Sequence, residues 1–464
     1  MTDNTERATV RTSGPNFLVL GIVGALVGAL SFGGGFFFSP NGSPAPVETA
    51  AAREVPESPA LAFPVRTCSI MGQASSADLG TVSVYIRDTA TDMERFSIPS
   101  DATVAMGSVM KVLTAATALT VLGPDGRLTT RVVEGSTPGS VVLIGGGDPT
   151  LTVGDGTIYD GAPSIEDLAT QTVENYYSRD PEADPITSLV VDVSLFPTDD
   201  AWHESWPKSE RTDGYMPLIT PLMVDGDRSN PERQTSGRSK DPIGNAKDAF
   251  VAALQRAGNG DGDIDVTFGS APRNATPLAS VSSQPVSTLV KQMLPDSDNT
   301  LAEFLMRASS VKLGLGGTAA SIQQTVVNSM GKLGVEFNDG VFNDGSGVSP
   351  KNRLNPITVA TLMDKVFTDG GIMATIADNL PVAGKSGTLD ARFTGANEIA
   401  RGHVVGKTGQ IDGVSALAGR VLGADGSDLI VVVVARGDVT KATRAAIDSL
   451  FTAVYTCGNN LSSF

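Results

Sequence analysis

Residues 105–122, AMGSVMKVLTAATALTVL, carry apolar or small side chains around the whole circumference of a helix. Such a helix has no polar stripe to show to water, so it must be enclosed by other elements of the fold. It directly follows two strand-like runs, TVSVYIRD (81–88) and ERFSIPS (94–100), separated by a polar turn. Near the other end of the chain, GHVVGKTG (402–409), GVSALAGRVLG (413–423) and SDLIVVVVARG (427–437) predict three further strands joined by glycine-containing turns. VTKATRAAIDSLFTAVYTC (439–457) predicts a closing helix. The expectation is an α+β unit in which one antiparallel sheet is built from both ends of the chain.

The stretch between these ends, about 131–275, has strands of its own (SVVLIGGG, 140–147, and SLVVDVSLF, 188–196) and a helix (NAKDAFVAALQRAG, 245–258). It reads as an inserted accessory domain between the two parts of a peptidase-sized unit, 65–130 and 276–464. Its polar middle, DGDRSNPERQTSGRSKDPIGN (225–245), reads as a long surface loop. No catalytic side chain is expected from this insert. At the N-terminus, residues 17–38 form an uncharged apolar run of 22 residues, long enough to cross a bilayer. Arg7 and Arg11 precede it and Glu48, Glu54 and Glu57 follow. That bias makes residues 1–16 a cytoplasmic tail and 17–38 a single-pass anchor, with everything beyond it outside the cytoplasm. A cleaved signal sequence, giving a secreted form, is the alternative. Residues 39–64, rich in Pro and Ala, read as a linker.

A net charge of −17 with no Lys/Arg-rich run speaks against nucleic acid as a partner. The two histidines, His203 and His403, and the two cysteines, Cys68 and Cys457, form no ligand cluster, so no metal is expected. Two cysteines outside the cytoplasm, at opposite ends of a domain built from both termini, are expected to pair as a disulfide. The GK[ST] triplets at Lys385 and Lys407 lack the upstream glycine of a phosphate loop, since Asn379 and Arg401 stand at that position. No cofactor is expected.

Ser108 and Lys111 share a helix face at the start of the apolar helix. There the first-turn N–H groups are free to stabilise an oxyanion, and a desolvated lysine can lose its proton to act as a base. The same spacing occurs at Ser205/Lys208, Ser309/Lys312 and Ser329/Lys332, but only Ser108 opens a fully apolar helix directly after a strand pair. Ser297-Asp298-Asn299 is rarer; its bland alternative is to cap the helix TLAEFLMRAS. Lys407-Thr408-Gly409 ends a strand with two more strands following, which favours it over Lys385-Ser386-Gly387 as the place where a lysine meets a substrate carboxylate.

These three elements in this order, together with LIGGGDPTL, PLITPLMVDG, DSDNTLAEFLMR, NDGSGVSPKNRLNP, LPVAGKSGTLDARF and GKTGQIDGVSALAG, resemble the class C low-molecular-mass penicillin-binding proteins, the D-alanyl-D-alanine carboxypeptidase/endopeptidase family. The likeness runs from about residue 67 to 457. It implies the transpeptidase fold of penicillin-binding proteins and serine β-lactamases: a five-stranded antiparallel sheet flanked by helices, an all-helical subdomain and an inserted domain. It also implies that Ser108 is acylated, Lys111 is its base, and Ser297 with Asn299 shuttle the proton and position substrate. Lys407 and Thr408, with Gly409, would hold the carboxylate, and the N–H groups of Ser108 and Gln410 would form the oxyanion hole. The implied partners are peptidoglycan stem peptides and β-lactams. Gln410 departs from the family, whose members usually carry a hydroxyl just after the K-T-G, and the span from Ser108 to Ser297 is shorter than in the long members. A penicillin-binding receptor or scaffold with little turnover, or a β-lactamase, are the competing functions.

Overall fold

Seven consecutive apolar residues, Leu429 to Ala435, can be accommodated only by a strand covered on both faces, and that strand is the centre of the molecule. The structure is a computed structural model that describes residues 65–99 and 102–463. The expected membrane segment, 17–38, lies outside the described residues. Among the described residues no helix is long and apolar enough to cross a membrane.

The strands are β1 (Thr81–Asp88), β2 (Glu94–Ile98), β3 (Thr129–Glu134), β4 (Ser140–Ile144), β5 (Ser188–Asp192), β6 (Asp265–Phe268), β7 (Pro277–Ser282), β8 (Val404–Ile411), β9 (Val414–Leu422) and β10 (Asp428–Arg436). They form two five-stranded sheets. The first has the order β2-β1-β10-β9-β8, every pair antiparallel. Alternation along β10 divides its side chains between two cores. Leu429, Val431, Val433 and Ala435 meet Phe451, Val454 and Ile447 of the closing helix, while Ile430, Val432 and Val434 face the helical core on the other side.

The main helices are α1 (Met110–Val121), α2 (Ile165–Arg179), α3 (Pro242–Leu254), α4 (Val286–Asp296), α5 (Asn299–Lys312), α6 (Ile322–Lys332), α7 (Pro356–Thr368) and α8 (Lys441–Cys457). α1 is buried over ten of its twelve residues, enclosed by α4, α5 and α6 and by the first sheet, as its lack of a polar face requires. α8 covers the opposite face of that sheet and is tied at its end to the first described segment by the Cys68–Cys457 disulfide.

The second sheet, β6-β5-β4-β3-β7, is mixed. β4, β5 and β6 run parallel, connected by crossovers through α2 and α3, while β3 pairs antiparallel with both β4 and β7. α2 and α3 bury Leu168, Val173, Phe250 and Leu254 against Leu143, Leu189 and Val191 of this sheet, a core separate from the other two. Since β3 and β7 are neighbours, the segment leaves and rejoins the rest of the chain at one place. The strands of this sheet run from Thr129 to Ser282. The stretch 225–245 is a surface loop only in part: Asn230, Glu232, Arg233 and Lys240 are exposed, but Asp225, Asp227, Arg228, Ser236 and Arg238 are buried. Two of its buried charges have partners: Ser239 donates to Asp227 at 2.7 Å, and Arg228 reaches out of the insert to Asp298.

Candidate active site

A 3₁₀ turn, Gly107–Val109, runs straight into α1 and places Ser108 one turn ahead of Lys111. Lys111 is fully buried. Its Nζ lies 2.8 Å from Ser108 Oγ, 2.7 Å from Asn299 Oδ1 and 2.7 Å from the Ser346 carbonyl oxygen. Two of these partners only accept hydrogen bonds, while the third also carries a proton. A neutral amine satisfies the set: its two N–H bonds go to the two carbonyl oxygens and its lone pair faces the Ser108 hydroxyl. Burial lowers the Lys111 pKa to about 8 against the pull of Asp344, Glu303, Asp298 and Glu210, so the neutral form is within reach near neutrality.

The third contact depends on a turn that sequence reasoning did not assign a role. Buried Glu303, on α5, accepts from the N–H groups of Gly345 and Ser346 at 2.9 and 2.7 Å, and Thr114 donates to Gly345 O at 2.5 Å. These bonds aim the Ser346 carbonyl at Lys111. Burial and neighbouring Asp344 push the Glu303 carboxyl up to about 7. The sequence carried Asp344 and Ser346 in NDGSGVSPKNRLNP and Glu303 in DSDNTLAEFLMR, with nothing in either stretch to mark their contact.

Ser297 sits in a left-handed conformation (φ 59°) that ends α4 and turns the chain into α5. Asp298 caps α5, its Oδ1 accepting from Leu301 N at 2.9 Å, so the capping alternative holds for this residue while Asn299 bonds to Lys111. The other carboxylate oxygen, Oδ2, receives Arg228 at 2.9 Å, Tyr159 at 3.1 Å and Gln234 at 3.0 Å, all from the insert. Burial pushes the Asp298 carboxyl up, and Arg228, the Leu301 N–H, Arg238 and Gln234 outweigh it, leaving it below the ordinary carboxylate range. Ser297 makes no hydrogen bond to Ser108 or Lys111 among the described residues.

Edge strand β8 brings Lys407, Thr408, Gly409 and Gln410 alongside the Ser108 turn. The approach is close enough to require glycine on both sides. A methyl group at Gly107 (φ 54°) would stand 2.7 Å from Gln410 N, and one at Gly409 would collide with Met106 O and sit 3.3 Å from Ser108 N. The backbone nitrogens of Ser108 and Gln410 are thereby brought close to one another. Lys407 is fully buried, donating to Thr408 O at 3.2 Å; burial and the nearby Lys111 lower its pKa well below the ordinary value, against Asp296.

The rival serines are engaged elsewhere. Ser205 bonds to His203 Nδ1 and Ser349, Ser309 donates to Leu305 O, and Ser329 pairs with Thr117 and donates to Val326 O. Lys385 is exposed. Among the described residues no group of three or more His, Cys, Asp or Glu could hold a metal ion.

The chain matches the D-Ala-D-Ala carboxypeptidase 3 (S13) family over residues 73–237 and 227–454. It is 32% identical to carboxypeptidase DacB of Mycolicibacterium smegmatis, with 89% of each chain covered. It is 28% identical to a D-alanyl-D-alanine carboxypeptidase of Actinomadura, with 80% of each covered. Its fold is similar to that of penicillin binding protein 4 from Haemophilus influenzae, with a TM-score of 0.69 at 18% identity over 85% of this chain and 99% of that one.

Proposed function

This chain belongs to the D-Ala-D-Ala carboxypeptidase 3 (S13) family, and from that premise we propose that it is a serine-type D-alanyl-D-alanine carboxypeptidase/endopeptidase acting on peptidoglycan stem peptides through an acyl-enzyme at Ser108. The observation that carries the assignment of residues is the three-way contact of Lys111 Nζ with Ser108 Oγ, Asn299 Oδ1 and Ser346 O.

Neutral Lys111 takes the Ser108 proton as Oγ attacks the carbonyl of the penultimate D-alanine. The N–H groups of Ser108 and Gln410 receive the oxyanion. The C–N bond then breaks, the leaving D-alanine amine takes the proton back, and water later cleaves the ester, its proton passing through the same base. Ser297, one residue from Asp298 and two from Asn299, is assigned to proton delivery to the leaving amine once substrate fills the cleft. Lys407 and Thr408 hold the terminal carboxylate. Without substrate, burial and Lys111 both oppose a charge on Lys407. A bound carboxylate reverses that preference, and a charged Lys407 in turn discourages protonation of Lys111. Substrate capture and activation of the base thus favour each other.

The disulfide between Cys68 and Cys457 suits a catalytic unit outside the cytoplasm, and residues 17–38 are assigned as its single-pass anchor on their sequence alone. The insert, 131–275 as read from the sequence, is assigned a bracing role.

Two measurements together test this reading. The protein should release D-alanine from a stem-peptide mimic, and penicillin should add one covalent equivalent that peptide mapping places on Ser108. Ser108→Ala should abolish the adduct while keeping the fold, because losing a helix-start hydroxyl costs only about 1 kcal/mol. Penicillin uptake without D-alanine release points instead to a receptor with little turnover. An adduct on Ser205, Ser309 or Ser329 overturns the assignment.

A further inference from the structure

The second K-S-G triplet, Lys385-Ser386-Gly387, is unused by the mechanism above, yet its segment is built into the wall of the same cleft. Residues 381–383 run along the outer edge of β8, with Gly406 N donating to Pro381 O at 3.0 Å and Ala383 N to Val404 O at 2.9 Å. Ser386 Oγ accepts from Val382 N at 3.1 Å and closes a turn. Gly387 (φ 55°) then presses so closely on Pro295 that a methyl there would lie 2.6 Å from Pro295 O, two residues before Ser297. This path delivers Thr388 Oγ1 to 2.7 Å from Thr408 Oγ1.

Gln410 is two residues beyond Thr408 on β8, so the two side chains leave the same face of the strand. Gln410 Oε1 accepts from Arg444 Nη1 at 3.1 Å. Because a guanidinium has donors and no acceptor, Arg444 fixes the amide with its oxygen inward to the arginine and its two N–H donors on the other side. Thr388 and Thr408 share one hydrogen between their oxygens, which leaves the second hydroxyl hydrogen free for another acceptor.

We propose that Thr388 and Gln410 complete the pocket for the substrate's terminal carboxylate, with Arg444 as the positioning residue that holds the Gln410 amide in its donating orientation. This rests on the reading of Lys407 and Thr408 given above and deepens it. A carboxylate only accepts hydrogen bonds and offers two oxygens with several lone pairs, so it is best met by several converging donors. The family-typical hydroxyl after K-T-G is absent here. The side-chain amide of Gln410, held by Arg444, and the hydroxyl of Thr388, fed in from the neighbouring segment, supply donors in its place.

The test compares a stem-peptide mimic ending in D-Ala-D-Ala with the same peptide carrying a C-terminal carboxamide, alongside penicillin acylation of Ser108 followed by mass. Thr388→Val and Arg444→Met should each lower kcat/KM for the free acid by about ten- to a hundredfold, the usual worth of one hydrogen bond to a charged group, mainly through KM. The carboxamide peptide should change by less than about threefold, since it lacks the charge those donors serve. In a Gln410→Ser background, where no amide needs orienting, adding Arg444→Met should leave turnover of the acid unchanged, and this also shows that the arginine substitution folds. Equal losses on acid and carboxamide, no loss on the acid, or a full Arg444→Met penalty persisting in the Gln410→Ser background would each overturn the pocket while Ser108 acylation stays intact. Absence of both D-alanine release and penicillin uptake in the unaltered protein overturns the underlying reading, and the pocket with it.

Discussion

The two sheets of this molecule are built on opposite plans. In the two-ended sheet every neighbour is antiparallel, β8 to β10 are joined by short turns, and the groups assigned to the chemistry lie on it or on the helices packed against it. In the middle sheet β4, β5 and β6 are parallel, joined by crossover helices around a separate core, and no side chain of that sheet touches Ser108 or Lys111. The middle region nevertheless reaches the site at two points: Arg228, Tyr159 and Gln234 meet Asp298, beside Asn299, and Trp206 donates to Asp344 at 2.8 Å in the turn that carries Ser346. A segment that supplies none of the assigned reacting atoms is thus bonded to the residue beside one of them: Asp298 is at once a helix cap, an insert contact and the neighbour of two assigned site residues.

The largest effect should come from the two-ended region. Lys111→Ala removes the base, and loss of a positioned base slows proton transfer by about 10² to 10⁴-fold, so penicillin acylation measured by stopped flow should nearly cease. The active form of Lys111 is the neutral amine, whose pKa is lowered to about 8. Acylation should therefore rise with pH through about 8 and level above it, with slope on the acid side. Once the carboxylate of bound penicillin has favoured a charge on Lys407, that ammonium opposes protonation of Lys111, so in the saturated rate Lys407→Ala should move that limb to higher pH. A rate that falls as pH rises through this range contradicts a lysine base.

Next comes the link between the regions. Arg228→Met leaves the Asp298 carboxylate buried without its main counter-charge, a change that costs about 3–5 kcal/mol in stability. Thermal melting should show it, and Arg228→Met combined with Asp298→Asn should regain part of the loss. Turnover separates bracing from mere stability. If the pair positions Asn299, kcat of the folded single variant should fall by about ten- to a hundredfold, as small misplacements of a reacting group do. An unchanged kcat would make this ion pair a purely structural contact.

This link also marks where the sequence stopped being readable. The two-ended sheet was legible because Val, Ile and Leu runs bounded by glycine turns are strand signals whatever they pair with, and β1, β8, β9 and β10 fall within a residue or two of expectation. In the middle, SVVLI and SLVVD were recognised, but TTRVVE, DVTF and PLASVS were not. Those three carry polar residues or proline and are strands only because a partner strand accepts them. Stretch 225–245 was misread in part for the reverse reason: its charges suggest water, whereas Arg228 finds a buried partner 70 residues along the chain and Asp227 is bonded by Ser239 within the stretch, which composition does not reveal. In the site, Ser108, Lys111 and Asn299 were legible as motifs. The Ser346 carbonyl was not, because a backbone oxygen has no sequence signature and its aim depends on Glu303, 43 residues away.

The disulfide probes the closure of the two-ended sheet and should leave the chemistry alone. Cys68 and Cys457 are 389 residues apart, and both are remote in the fold from Lys111, on the α8 side of the sheet. Removing a native disulfide typically costs about 2–5 kcal/mol, and Cys68→Ser should lower the melting temperature accordingly. kcat/KM at a temperature where the variant is folded should stay within about twofold, as expected for sites that share no partners. A comparable loss of rate would mean that the sheet edge bearing Lys407 depends on this closure.

The smallest effect is expected where the sequence offers its closest duplicate. Lys385 and Lys407 occupy the same position in two GK[ST]G quartets 22 residues apart, and nothing in the quartets separates them. Their surroundings do. Lys407 is fully buried beside Lys111 and Asp296, whereas Lys385 is exposed on the turn that carries Thr388. An ammonium in water attracts a carboxylate weakly and is screened within about 8–10 Å at ordinary salt, whereas a buried one is screened little. Lys407→Ala should therefore raise KM for a stem-peptide mimic by about tenfold or more, as loss of a charge-assisted contact does. Lys385→Ala should change KM by less than about twofold, and that small change should vanish in added salt, as a screened surface charge does. Equal KM penalties at both lysines would show that the carboxylate is drawn in by the charge of the whole edge. A penalty confined to Lys407, with Thr388→Val still costly, would show that the same short segment contributes through its threonine hydroxyl and not through its lysine.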